Sequence, residues 1–307
     1  MRLGSDHVRV RVPATSANLG PGFDSMGIAL AHYDTIEIRA LGSPEVTVEV
    51  FGEGAGELPT GEDHLIVRAI RAALDDVGAP QVGLHLRCVN RIPHGRGMGS
   101  SAAAVVAGIL AVRMLIGDQR ALGNTAAFRI ATQFEGHPDN AAPAILGGAT
   151  VSWTGADGPH ATVLPVHPEV VPVVLVPEQR CATLTARGVL PATVPHADAA
   201  FTAGRAALLV QALCHRPELL YEATAERLHQ EYRARVMPET IQLVHALRDA
   251  GQAAVVSGAG PSVLVLERAS DGDVGAQVRK EILAAVGSVW TVLMPGIATD
   301  GALAERI

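Results

Sequence analysis

Apolar and polar positions alternate over residues 8–12, where Val8, Val10 and Val12 flank Arg9 and Arg11. A period of two marks a half-buried strand. The same alternation predicts strands at 36–40, 46–51 and 82–89, the last with Val82, Leu84, Leu86 and Cys88 on one side. The period then changes: residues 63–76 put Leu65, Ile66, Ala69, Ile70, Ala73 and Leu74 on one helical face, with Gly78 as the stop. Residues 100–116 are nearly all apolar, which predicts a helix buried on most sides, and a further helix follows at 125–134. Residues 13–27, rich in Gly, Pro and Asn, are too irregular for either regular element. In the second half the pattern predicts a strand at 170–176, a helical region over 197–231, and a helix at 240–249 closed by Gly251. Strands at 253–257 and 263–267 then flank a Gly-Ala-Gly-Pro turn, followed by a helix at 274–286 and a strand at 289–294. That order is the split βαβ pattern of a ferredoxin-like sandwich. A boundary in the Pro/Gly/His-rich stretch 155–168 divides the chain into expected domains at 1–160 and 161–307.

Composition narrows the function classes. With 48% hydrophobic and 18% charged residues, the 307-residue chain has ample apolar surface for a core and is not disordered. Its net charge of −7 argues against a nucleic-acid footprint or a polybasic membrane contact. Aromatic residues make up only 3%, so stacking platforms for single strands are not expected either. The longest apolar stretch, 102–112, stops at Arg113, short of the roughly 20 residues a membrane span needs. Residues 1–7 lack the apolar stretch of a signal peptide. Cys88, Cys181 and Cys214 are an odd count without metal-ligand spacing, which points to a reducing, cytoplasmic setting.

Four segments carry candidate chemistry. The first is Pro93, His94, Gly95, Arg96, Gly97, Met98, Gly99, Ser100, Ser101, Ala102 and Ala103. Alternate glycines allow close backbone approach, and the serines open a helix whose free N–H groups favour an anion. On physics alone, a phosphate cradle and a plain glycine turn against a small-residue helix both stay open. The second, Glu135 to Asn140, sets Glu135, His137, Asp139 and Asn140 together, a set suited to a hard cation and a polar substrate, or to a solvated turn. The third is the loop 13–27, where Asn18 and Asp24 can hold an ammonium or a hydroxyl. The fourth, 257–262, reads by itself as a plain hairpin turn.

Taken together, these segments resemble the GHMP kinase superfamily, and within it the homoserine kinases, over residues 8–294. Residues 93–103 match its phosphate loop, with Met98 in place of the usual leucine. The run EGHPDNAAPAILGG at 135–148 is the most specific match, and residues 13–30 match the N-terminal segment. Thr183, Arg187 before Leu190-Pro191, and Tyr232-Arg233 also fall where those kinases have such residues, whereas Glu231 stands where proline is common.

The resemblance implies an α+β two-domain fold, with a ribosomal-protein-S5-like N-terminal domain and a ferredoxin-like C-terminal domain. It implies ATP and L-homoserine as partners, Mg²⁺ as cofactor, and phosphorylation of the homoserine side-chain hydroxyl on the way to threonine. By resemblance the phosphates fall to residues 93–103, and the metal to Glu135 with Ser100 and Ser101. Homoserine falls to Asn18, Asp24, His137, Asp139, Asn140, Thr183, Arg187 and Arg233. Asp24 suits its ammonium and the arginines its carboxylate. Asn18, Asp24, Asn140 and Arg187 carry the catalytic assignment, no residue is named as general base, and a homodimer is the expected assembly.

Overall fold

A computed structural model describes residues 2–269 and 290–307. The first half builds β1 (His7–Ala17), β2 (Met26–Leu41), β3 (Val46–Gly52), α1 (Leu65–Asp76) and β4 (Gly83–Asn90). It continues with α2 (Ser100–Leu115), α3 (Asn124–Glu135), α4 (Ala141–Leu146), β5 (Ala149–Gly155) and β6 (Gly158–Leu164). The second half has β7 (Val170–Pro177), α5 (Thr183–Gly188), α6 (His196–Cys214), α7 (Leu220–Ala223), α8 (Pro238–Asp249), β8 (Ala254–Val256) and β9 (Val263–Arg268). After the undescribed stretch come β10 (Trp290–Leu293) and β11 (Leu303–Arg306). The helix expected at 274–286 lies outside the described residues.

The strands form two sheets. One runs β11-β1-β2-β4-β3, with β5 on the other half of β2 and β6 beyond it; the second runs β10-β7-β9-β8, all antiparallel. In order of appearance that second sheet reads four-one-three-two, the ferredoxin-like arrangement implied by the split βαβ pattern. The expected cut between residues 160 and 161 falls inside β6, and β11 returns to pair with β1, so both ends of the chain build the first sheet.

The strand β1 runs five residues past the expected end at Val12. Its register on β2 shifts between Pro13 and Ala14, and Ala14 to Ala17 continue as paired, buried backbone. Cover on both faces erases the alternation that would have revealed them. A hairpin, β5–β6, fills part of the stretch expected to hold the domain boundary; no residue of β6 is buried, so no period of two is visible there. The expected helical region 197–231 breaks at Cys214, before Pro217. The all-apolar helix is borne out: α2 is buried along eleven of its residues, within one core that includes both faces it meets, α1 and β1.

The approach to the glycine loop is pinned from β2. Asp34 Oδ1 accepts from the backbone N–H of Arg91 and Ile92 at 2.6 and 2.9 Å. Burial outweighs these bonds and pushes the Asp34 pKa up to about 6. A carboxyl with a raised folded pKa is protonated more readily in the fold than in the open chain, so its contribution falls as pH rises from about 4 to about 6. Asp34→Asn keeps an oxygen for both N–H groups. The variant is therefore expected to exceed the native chain in stability at pH 8, by on the order of 3 kcal/mol at most, and to match it near pH 4. Urea unfolding at the two pH values measures this; a variant less stable at both would show that the charge is needed.

Candidate active site

Gly95, Gly97 and Gly99 have φ of +65°, +73° and +68°, so every second residue of the loop is left-handed. The loop runs straight into α2, which starts at Ser100 without a side-chain cap. Its first-turn N–H groups thus lack a side-chain acceptor, the arrangement that favours an anion. Three segments hold the loop from outside. The N–H groups of Thr15, Cys181 and Ser262 donate to the carbonyls of Met98, Gly95 and Arg96 at 3.1, 2.8 and 3.3 Å. Ser257 Oγ lies 2.7 Å from the Gly97 carbonyl and 2.8 Å from Ser16 Oγ. Residues 257–262 are therefore no plain hairpin turn; they clamp the glycine loop against β1.

The N-terminal loop lies beside it. Asn18, Leu19 and Asp24 have φ of +70°, +47° and +54°, a conformation non-glycine residues rarely adopt and one that clusters at functional sites. Asn18 closes the loop: its Oδ1 accepts from the Asp24 N–H at 3.0 Å and its Nδ2 donates to the Gly258 carbonyl at 2.9 Å. The Asp24 carboxylate meets the Arg187 guanidinium at two points, 3.2 and 2.5 Å. Arg187 projects from the last turn of the short helix α5, which Thr183 begins.

Arg233 is different. It is only 1% exposed, yet among the described residues its one side-chain hydrogen bond runs from Nη1 to the Gly258 carbonyl at 2.7 Å, and its Nε has no partner there. Among the described residues it has no carboxylate within ion-pair distance. Burial, with Arg187 nearby, pulls its pKa down to about 10, which leaves it a cation at neutral pH. The result is a buried positive charge lining the cleft with no ion-pair partner among the described residues.

Opposite the arginines stands the turn after α3. Gly136 ends that helix at φ +78°, and Ser101 Oγ donates to Glu135 Oε2 at 2.8 Å. Burial raises the Glu135 pKa despite the Ser101 bond. His137 Nδ1 lies 2.5 Å from Oδ1 of the buried Asp139. Burial alone would lower the imidazole pKa, but the bond to Asp139 and its charge outweigh that and raise it. Asn140 Oδ1 accepts from Thr15 Oγ1 at 2.9 Å.

These groups line one cleft of about 380 Å³. Asn18, Gly95, Gly97, Gly99, Ser100, Ser101, Glu135, His137, Asp139, Asn140, Thr183, Arg187 and Arg233 all face it. Asp24 reaches it through Arg187. The rest of the glycine segment does not: Pro93, Met98, Ala102 and Ala103 are buried behind the loop, the His94 ring lies against Gly54, and Arg96 turns to Glu53 and the Glu178 carbonyl. Phe134, Cys181, Ala182, Leu184, Gly258 and Ala259 also line the cleft, and none of them is among the expected site residues. For Gly258 and Ala259 a signal existed, the glycine spacing of 257–262; for the others no motif marks them.

The profile of the GHMP kinases N terminal domain matches residues 64–148, and that of GHMP kinases C terminal matches residues 206–284. The homoserine kinase of Clavibacter michiganensis is 50% identical over 302 residues, 98% of this chain and 94% of that protein. The homoserine kinase of Streptomyces coelicolor is 50% identical over 96% of this chain and 93% of that protein. This chain belongs to the homoserine kinase family. Among solved structures, the homoserine kinase of Cytophaga hutchinsonii superposes with a TM-score of 0.86 at 25% identity, covering 98% of both chains. A mevalonate diphosphate decarboxylase from Staphylococcus aureus, at 15% identity and a TM-score of 0.70, shares the fold. The GHMP kinase fold expected from the resemblance is thus the fold observed.

Proposed function

We propose that this member of the homoserine kinase family transfers the γ-phosphoryl group of ATP to the side-chain hydroxyl of L-homoserine in the cleft between the glycine loop and Arg233, as a step of threonine biosynthesis. One observation carries the assignment of the amino-acid end: a buried guanidinium with no ion-pair partner among the described residues, beside an Arg187–Asp24 pair. A substrate carboxylate supplies the anion Arg233 lacks, and Asp24 offers its carboxylate to the substrate ammonium while remaining near Arg187. Asn18, Thr183, His137, Asp139 and Asn140 then surround the remaining polar atoms of the substrate.

Phosphoryl transfer asks mostly for alignment and charge neutralisation. Gly95, Gly97, Gly99 and the start of α2 receive the phosphates. The donor set for Mg²⁺ fits: Glu135 and Ser101 offer hard oxygens 2.8 Å apart, with Ser100 adjacent. Among the described residues no group of three acidic, His or Cys side chains could hold a metal by itself. That suits an ion held by one carboxylate and the substrate's own phosphates. When bound, the ion would draw off charge from the phosphate oxygens. Asp139 holds His137 in place, and Asn140 with Thr15 fixes the turn beside the glycine loop.

Glu135→Gln is expected to keep the fold and lower kcat by at least about a hundredfold, since losing an organised metal costs several kcal/mol. Near-native kcat at saturating Mg²⁺ would remove Glu135 from the metal site. A coupled ADP-release assay over L-homoserine, L-serine, mevalonate and galactose tests the substrate; turnover of mevalonate or galactose in preference to homoserine would overturn it. No helix among the described residues is long and apolar enough to cross a membrane. Cys88, Cys181 and Cys214 are free and buried, which supports a reducing, cytoplasmic setting.

A further inference from the structure

Behind the N-terminal loop lies a buried group that the reaction as described does not use. His229 is 1% exposed, in the stretch between α7 and the turn that carries Arg233. Its Nε2 lies 2.9 Å from the Gly20 carbonyl, and its ring stacks on Phe23 with centroids 4.8 Å apart and planes 23° off parallel. Because a carbonyl only accepts, Nε2 carries the proton in this bond, and Nδ1 is buried with no hydrogen-bond partner among the described residues. The ring is itself held from below. The carboxylate of Glu226 has no exposed side-chain surface; it accepts from the backbone N–H groups of Leu228, His229 and Gln230 and lies 3.8 Å from Nε2. Gln230 Oε1 accepts from the Val256 N–H at 2.6 Å, which ties the same stretch to the clamp beyond β8.

The loop that His229 touches needs support. Asn18, Leu19 and Asp24 hold disfavoured left-handed backbone, and conformations of that kind persist only where surroundings fix them. On the cleft side Asn18 ties the loop to Gly258. On the far side the support comes from His229, through Gly20 and Phe23. The Arg187 guanidinium also sits over the Phe23 ring, 5.8 Å from its centroid, so the stacked pair His229–Phe23 underlies the Arg187–Asp24 ion pair directly.

We propose that His229 is a positioning residue for the amino-acid substrate: by bonding Gly20 and stacking on Phe23 it holds the 18–24 loop so that Asp24 stands against Arg187. The proposal rests on the reading that Asp24 and Arg187 bind homoserine. It concerns neither nucleotide nor metal, because the hydrogen bonds and ring contact of His229 among the described residues go to Glu226, Gly20 and Phe23 and not to the glycine loop or Glu135.

The test compares His229→Leu, His229→Gln, Phe23→Leu and Asp24→Asn by steady-state kinetics with both substrates varied. His229→Leu fills the space but removes the donor. It is expected to raise the homoserine KM by at least about tenfold, the scale of one lost bond to a buried group, while the ATP KM and kcat stay within about threefold. His229→Gln restores an N–H donor and should recover most of the loss. Should His229→Leu fail to fold, Phe23→Leu reads the same support from the half-buried partner and should raise the homoserine KM selectively. Equal increases in both KM values, or no rescue by glutamine, would reduce His229 to a core residue and overturn the proposal. An unchanged homoserine KM in His229→Leu and Phe23→Leu, alongside a raised one in Asp24→Asn, would overturn it and leave the binding reading standing. An unchanged KM in Asp24→Asn would instead remove the binding reading itself.

Discussion

Gly97→Ala is expected to lose roughly a thousandfold in kcat/KM for ATP while the fold survives. A Cβ at Gly97 would stand 2.2 Å from the Ser257 carbonyl and 2.9 Å from the Gly260 backbone, so neither neighbour can move aside as a flexible side chain would. The residue also sits at φ +73°, where a side chain costs about 1–2 kcal/mol, or roughly tenfold. The remainder comes from displacement: shifting groups that must align a phosphoryl transfer by about 1 Å costs about a hundredfold. Gly95 provides the internal control. It has the same left-handed backbone, φ +65°, but its nearest contact would be Arg180 Cβ at 3.5 Å, an ordinary distance. Gly95→Ala should therefore show the backbone cost alone, near tenfold. Initial-rate measurements with ATP varied at saturating homoserine distinguish the two. Equal and small losses at both positions would mean that the clamp of 257–262 is not what shapes the cradle, and the plain glycine-turn reading would return.

The same contrast explains what could be read from the chain and what could not. Alternation identified β3 and β4 nearly to the residue, since each shows one buried and one solvated face. It failed for residues 14–17, covered on both sides, and for β6, buried on neither. Periodicity reports a difference between faces, and where there is none it is silent. The site followed another rule. Gly97, Gly99, Ser101, Glu135 and Asp139 lie in two short runs dense enough in special residues to be noticed locally. Gly258 and Ser257 act through backbone and hydroxyl contacts with residues about 160 and 240 positions away, at 2.7–2.9 Å. A hairpin-like turn carries no local mark of such a partner. The pairing of Asp24 with Arg187, 163 residues apart, is equally hidden: the sequence suggests both as substrate ligands, while the structure shows their charges spent first on each other.

That pairing singles out Arg233, and the second large effect follows from it. Arg187 is neutralised by Asp24, whereas Arg233 is a buried cation whose one side-chain hydrogen bond among the described residues goes to a carbonyl that Asn18 also serves. A buried charge without a partner costs stability, and replacing it with an apolar residue of similar volume is commonly neutral or stabilising. Arg233→Met is thus expected to melt no lower than the native protein. Its catalytic effect should run the other way. Removing one partner of a buried, hydrogen-bonded charge pair costs about 2–5 kcal/mol, which is roughly 30-fold to several-thousandfold in kcat/KM for homoserine. Arg187→Ala should cost less in substrate binding and more in stability, because it leaves Asp24 unpaired. The comparison substrate is 3-aminopropanol, which keeps the ammonium and hydroxyl and lacks the carboxylate. The native enzyme should strongly prefer homoserine, and Arg233→Met should lose most of that preference while handling the amino alcohol about as before. Arg233→Lys, which keeps the charge but not the guanidinium fork, should fall between the two. Equal losses on both substrates, or a large drop in melting temperature, would assign Arg233 to the fold or the phosphates, and the amino-acid carboxylate would have to be held elsewhere in the cleft.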